Sequence, residues 1–239
     1  MNMEIQSGTV KAPLAKICGL TKAADVEAAL AGGATYLGFM AWPQSRRHIG
    51  PINAGRLATP ARGKAKIVAV VVDATDTWID EIMRDLAPDF LQLHGMETPE
   101  RADELKRRTG TGIIRAVRVG TVEDVVMARA FESVTDHVLY DARAPEGSQA
   151  PGGNGVAFDW SITSMISKGK PWFLAGGLNA ENVQDALRLT GAPLVDVSSG
   201  VERSPGCKDP FLIKEFLFKV QEAAPESTGA SEYGEGLKT

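Results

Sequence analysis

A cysteine and an aspartate close two short apolar runs, and such a pair could carry proton-transfer chemistry. The first run is Leu14-Ala15-Lys16-Ile17-Cys18, broken by Gly19; the second is His137-Val138-Leu139-Tyr140-Asp141. A side chain where a strand gives way to a loop sits where α/β folds do their chemistry. Position alone leaves Cys18 open to a plainer reading as a small buried hydrophobe, and Asp141 to one as a loop cap. An unperturbed thiol is only a few per cent ionised at neutral pH, so Cys18 needs a cationic or dipolar neighbour to serve as a base. Asp141, to serve as an acid, needs partial burial to hold its proton.

Other strand-end positions add a short list: Met40 to Arg47, Asp73, His94, Arg118, Gly176-Gly177 and Ser198-Ser199-Gly200. Three glycine-rich turns, Gly152-Gly153-Asn154-Gly155, Ala175-Gly176-Gly177-Leu178 and Ser198-Ser199-Gly200-Val201, could bring backbone N–H groups against an anion. Two of them, holding Gly176, Gly177, Ser199 and Gly200, follow the seventh and eighth strand-like runs, the usual phosphate site of a barrel. The plain alternative is that they only make tight turns. Arg46 and Arg47 could clamp a carboxylate or merely form a solvated basic loop. His94 could be a base, and it could equally line the ligand or serve structure. No cluster has metal-ligand spacing, and no G-x-G-x-x-G opens a helix near the first strand, so no metal and no cofactor is expected.

The elements that must hold these residues alternate along the chain. Strand-like runs cover Leu14–Cys18, Thr35–Met40, Lys66–Val72, Phe90–His94, Ile113–Val119, His137–Asp141, Pro171–Ala175 and Leu194–Ser198. Most are continuously apolar, as in a parallel sheet covered on both faces. Between them lie amphipathic patterns such as Ile79, Ile82, Met83 and Leu86, and Ile213, Phe216, Leu217 and Val220. Thr98-Pro99 reads as an N-cap with proline at the first helical position, and Gly110 and Gly112 as that helix's end. Eight such units predict one closed (β/α)8 barrel, a TIM barrel, over 12–223. Cys18 and Asp141 then face each other across its mouth. Residues 1–11 read as a loose lead-in, Ala142 to Pro151 as a mobile loop, and 224–239 as a disordered tail.

The 239 residues carry 26 basic and 30 acidic side chains, a net charge of -4 that argues against nucleic acid as the main partner. No apolar run approaches the ~20 residues of a membrane span, and the polar start lacks a signal-peptide core. The expectation is a cytoplasmic protein with two free thiols, Cys18 and Cys207, a phosphorylated small molecule as ligand and no membrane partner. It would be a monomer or a homodimer.

The motifs Lys16-Ile17-Cys18-Gly19-Leu20-Thr21, Leu37-Gly38-Phe39, Ser45-Arg46-Arg47, Gln92-Leu93-His94-Gly95, Gly152 to Gly155, Phe158-Asp159-Trp160, Leu174 to Leu178 and Val195 to Glu202 resemble, in number and order, the phosphoribosylanthranilate isomerase family. The likeness runs from Lys16 to Phe216. It implies a cofactor-free Amadori rearrangement of N-(5-phosphoribosyl)anthranilate to 1-(2-carboxyphenylamino)-1-deoxyribulose 5-phosphate, in tryptophan biosynthesis. It further implies Cys18 as base and Asp141 as acid, and Arg47 at the substrate carboxylate with Arg46 beside it. Gly176, Gly177, Ser199 and Gly200 fall at the phosphate. His94, Gly153, Gly155 and Asp196 fall about the rest of the substrate. The chain departs from the family's pattern with Arg46 in place of a proline and His48 in place of an aromatic, so an isomerase of altered substrate range is an alternative. A silent phospho-ligand-binding barrel is another.

Overall fold

Eight parallel strands close into a barrel in the computed structural model, which describes residues 12–142, 160–166 and 169–223. The strands are β1 Leu14–Cys18, β2 Tyr36–Met40, β3 Lys66–Val71, β4 Phe90–Leu93, β5 Gly112–Val119, β6 His137–Ala142, β7 Phe173–Ala175 and β8 Leu194–Val197. Each pairs with its sequence neighbours, and β8 returns to β1. The eight sequence runs thus match the strands to within two residues at either end. The lead-in, the loop beyond Ala142, the Gly152–Gly155 turn with Gly153 and Gly155, and the tail lie outside the described residues.

Helices α1 Ala23–Ala31, α2 Pro51–Ala58, α3 Asp76–Asp85, α4 Pro99–Thr109, α5 Val122–Ala128, α6 Val183–Thr190 and α7 Pro210–Glu222 cover the barrel. Their apolar stripes, among them Ile79 and Ile82 of α3 and Ile213, Phe216 and Leu217 of α7, pack on the outward side chains of the strands. Thr98 caps α4 by accepting from Arg101 N at 3.3 Å, and Gly110 ends it at φ 66°. Gly112 belongs instead to β5, whose backbone it opens against Asp89. Between β6 and β7 the described residues form a 3-10 segment, Trp160–Met165. An antiparallel hairpin, β9 Glu202–Ser204 with β10 Cys207–Lys208, interrupts the path from β8 to α7.

Period-two alternation decides what fills the barrel. The first residues of four strands, Tyr36, Phe90, His137 and Phe173, pack rings into a floor, with Tyr36–Phe173 centroids 5.1 Å apart and Phe90–His137 5.5 Å apart. Val68, Ile114 and Leu139 fill the interior above it. The opposite, C-terminal end stays open and polar.

Two loops at that end are tied by one carboxylate. Glu97 accepts from Asp73 N (2.8 Å), from Gly95 N (2.9 Å) and from Arg115 Nη1 (2.8 Å). Asp73 in turn accepts from Met96 N at 2.7 Å, and a side chain at Gly95 would collide with it. Glu97→Ala would leave the Arg115 guanidinium buried without its counter-charge. We predict a loss of about 3–5 kcal/mol in urea unfolding; a loss under about 1 kcal/mol would show that Arg115 does not depend on Glu97.

Candidate active site

Register builds the centre of the open end. Lys16 and Cys18 lie two apart on β1 and so share its inner face; Lys16 pairs in register with Asp196 of β8. Lys16 is fully buried, and its Nζ donates to Asp196 Oδ1 at 2.9 Å. Burial pulls the lysine pKa down, but Asp196 and Cys18 more than offset it and the net direction is up. For Cys18 burial is the largest influence and the thiol is raised, against the pull of Lys16. The cationic neighbour that a basic cysteine needs is therefore present, two residues upstream, yet in the ligand-free site it does not prevail.

Asp141, on the inner face of β6, lines the same cavity, of about 260 Å³, as Cys18, Arg47, His94, Gly176, Gly177, Asp196 and Ser199. Burial and the nearby Asp196 charge push its carboxyl up to about 6, with Arg118 and Lys16 opposing. That is the direction an acid needs. His94 Nε2 stands 3.8 Å from Asp141 Oδ2, too far for a hydrogen bond. Burial and the Lys16 charge lower the imidazole to about 4, so it is neutral and forms no ion pair with Asp141. Gln92 Nε2 donates to His94 Nδ1 at 3.1 Å, which leaves the ring proton on Nε2. Gln92 Oε1 is buried without a partner among the described residues.

The two arginines part company. Arg47 reaches the cavity over Gly19, whose φ of 80° and missing side chain let the Arg47 stem pass; a Cβ there would lie 2.6 Å from Arg47 Cδ. Arg46 is exposed and does not line the cavity. His48 also lies outside it, tilted against Trp78. Arg47 is held from the β9–β10 hairpin: Glu202 accepts from its Nε at 2.6 Å and its Nη2 at 2.8 Å, and from Lys208 Nζ at 2.8 Å. Burial would raise Glu202, but these cations hold it down to about 2. Lys208 also donates to Ser198 O at 2.8 Å, anchoring the hairpin to the end of β8.

The glycines of the seventh and eighth loops make close approach possible. Gly176 and Gly177 take φ of 94° and 63°. A side chain at Gly200 would stand 1.9 Å from Leu178 O, so only glycine lets the two loops meet. Of the other candidates, Asp73 serves loop structure as described, and Arg118 is exposed at the end of β5, in register with Asp141. A larger hollow outside the barrel, about 440 Å³, has its cations Arg129 and Lys170 donating to backbone carbonyls. Sequence reading gave no role to Lys16, Gln92, Glu202 or Lys208. Lys16 had a signal, a charge inside an apolar strand on the face of Cys18; the hairpin residues had none.

The N-(5'phosphoribosyl)anthranilate (PRA) isomerase family model matches residues 15–219. The chain belongs to the phosphoribosylanthranilate isomerase family. An N-(5'-phosphoribosyl)anthranilate isomerase of Mesorhizobium japonicum is 50% identical over 208 residues, 87% of this chain and 95% of its own. One of Caulobacter vibrioides is 47% identical over 216 residues, 90% of this chain and 99% of its own. Among solved structures, the Thermotoga maritima phosphoribosyl anthranilate isomerase superposes with a TM-score of 0.77 at 32% identity, covering 88% of this chain and 99% of its own. Another phosphoribosyl anthranilate isomerase, solved with reduced 1-(o-carboxyphenylamino)-1-deoxyribulose 5-phosphate, gives 0.75 at 30% identity, covering 88% of this chain and 99% of its own.

The Gly200 contact is open to direct test. In Gly200→Ala the added methyl meets the Leu178 carbonyl, a backbone group that cannot swing aside. We predict about 1–3 kcal/mol lower stability in urea and roughly tenfold weaker binding of inorganic phosphate by calorimetry. Parental phosphate affinity would place the anion elsewhere.

Proposed function

We infer that this protein isomerises N-(5'-phosphoribosyl)anthranilate to 1-(2-carboxyphenylamino)-1-deoxyribulose 5-phosphate, the Amadori step of tryptophan biosynthesis. The observation that carries the reading is one cavity holding Cys18 and an Asp141 whose carboxyl is pushed up, beside two glycine loops, in a chain 50% identical over 208 residues to a curated isomerase. The substrate is a phosphorylated small molecule, with neither nucleic acid nor membrane as partner. With both cysteines present as free thiols, a reducing cytoplasm is the fitting compartment.

Asp141 gives its proton to the furanose ring oxygen as the bond from that oxygen to C1 breaks, leaving a Schiff base at C1. The Cys18 thiolate then takes the proton from C2, and the electrons of that bond form the enolamine, which tautomerises to the ketone. The neutral His94 suits this sequence, because a protonated imidazole beside Asp141 would draw the carboxyl proton off early. Gly176, Gly177, Ser199 and Gly200 receive the phosphate on their loops. Arg47 faces the anthranilate carboxylate with the guanidinium edge that Glu202 leaves free. Its bidentate tie to Glu202 fixes the guanidinium plane, which favours an oriented contact over a mobile one.

The resting ionisation is the reverse of what the reaction uses. With Asp141 near 6 and the Cys18 thiol above its ordinary value, neutral solution favours carboxylate and thiol. The working pair, carboxylic acid with thiolate, is then the minority form.

Cys18→Ala and Asp141→Asn should each lower kcat on freshly prepared phosphoribosylanthranilate by at least ~100-fold with circular dichroism unchanged. The assay follows loss of anthranilate fluorescence. Near-parental turnover in either variant would remove that residue from its role, and an inactive parent that still binds inorganic phosphate would reject the reaction.

A further inference from the structure

A fully buried lysine is expensive to keep charged, and Lys16 lines no part of the cavity surface. Its surroundings say what it is for. A Cβ placed on Gly38 of β2 would lie 3.0 Å from Cys18 Sγ and 3.2 Å from Lys16 Cε, so sulfur and lysine stem close on the same gap in the neighbouring strand. Gly38 pairs in register with Cys18 and adds no side chain of its own to that gap. On the far side Asp196 holds Lys16 with Oδ1, while among the described residues its Oδ2 makes no hydrogen bond, and Asp196 borders the cavity. Lys16 thus stands between a carboxylate that substrate can reach and a sulfur that substrate must react with.

We propose that Lys16 is the positioning residue that makes Cys18 a base, and that Asp196 meters it: a substrate hydroxyl that takes the open oxygen of Asp196 draws this carboxylate toward the ligand and leaves the Lys16 charge to the Cys18 sulfur. The inference rests on the reading of Cys18 as the base. Lys16 keeps its own proton throughout. The thiol proton leaves through the open cavity to solvent, and the thiolate then accepts the C2 proton. The other charged groups that face Cys18 are Lys208 from β10 and Arg47 from the loop after β2, both already engaged by Glu202. Strand β2 offers only the uncharged Gly38.

The full chain carrying Cys207→Ser has one thiol, whose ionisation can be followed by ultraviolet thiolate absorbance against pH. In that background Asp196→Asn should lower the Cys18 midpoint by about one pH unit or more, and Lys16→Met should raise it by a similar amount. Because Lys16→Met strands a buried carboxylate, the double variant Lys16→Met/Asp196→Asn provides the folded control; its midpoint should lie above that of Asp196→Asn alone. Ribose 5-phosphate should lower the midpoint in the parent and leave it unmoved in Asp196→Asn. Equal midpoints in Asp196→Asn and the double variant would overturn the proposal, as would a ribose 5-phosphate shift that survives Asp196→Asn. These midpoints are read without turnover, so their failure is distinct from retention of activity by Cys18→Ala.

Discussion

Two opposite charges on the inner face of the barrel, Lys16 and Asp196 at 2.9 Å, act on Cys18, Asp141 and His94 around them. Neither could be buried alone without losing its charge or several kcal/mol of stability, about the cost of desolvating one ion. Together they are placed by backbone register, since β1 and β8 bring residues 16 and 196 side by side on the inner face. Their fields then reach outward with opposite effect. Asp196 raises Asp141 and Lys16 lowers it; Lys16 lowers Cys18 and Asp196 raises it; Lys16 helps to keep His94 neutral. The pair is a poor source of net stability, because a well-packed apolar pair would do as well. Its value lies in the chemistry it imposes on its neighbours.

The scaffold supports this centre from two directions. Below it, a floor of rings from Tyr36, Phe90, His137 and Phe173 closes the barrel. That floor keeps water from the buried charges and so keeps their interactions strong. Above it, Glu97 with Arg115 fixes the third and fourth loops, and Glu202 with Arg47 and Lys208 fixes the hairpin against the end of β8. Each of these buried carboxylates is shared among several donors, which immobilises loops that would otherwise move with solvent.

Most of the fold was legible in the chain. Apolar runs, most of them continuous, marked the eight strands, because each is covered on both faces, and Cys18, Asp141, Gly176, Gly177 and Ser199 fell at or just beyond strand ends whose place is dictated by topology. What escaped depended on contacts distant in sequence. Glu202 and Lys208 matter through a short hairpin with no periodic signal, and Gln92 through an orphaned oxygen that only packing creates. Arg46 and Arg47 look alike in sequence; the positive φ of Gly19 and the reach of Glu202 bring only Arg47 to the cavity. Lys16 could have been found, since a lysine two places before Cys18 in a buried strand must share its face. The Arg46 and His48 departures, which had raised a different substrate range, lie outside the cavity.

Burial and a neighbouring carboxylate leave Asp141 holding its proton far better than a surface aspartate does. Carbon-detected NMR of protein labelled at its aspartate carboxyl carbons, with Asp141→Asn to assign the resonance, reads that property in the ligand-free protein. The Asp141 midpoint should lie at about 6. A midpoint at the ordinary 3.8 would contradict it, and with it the assignment of Asp141 as the acid.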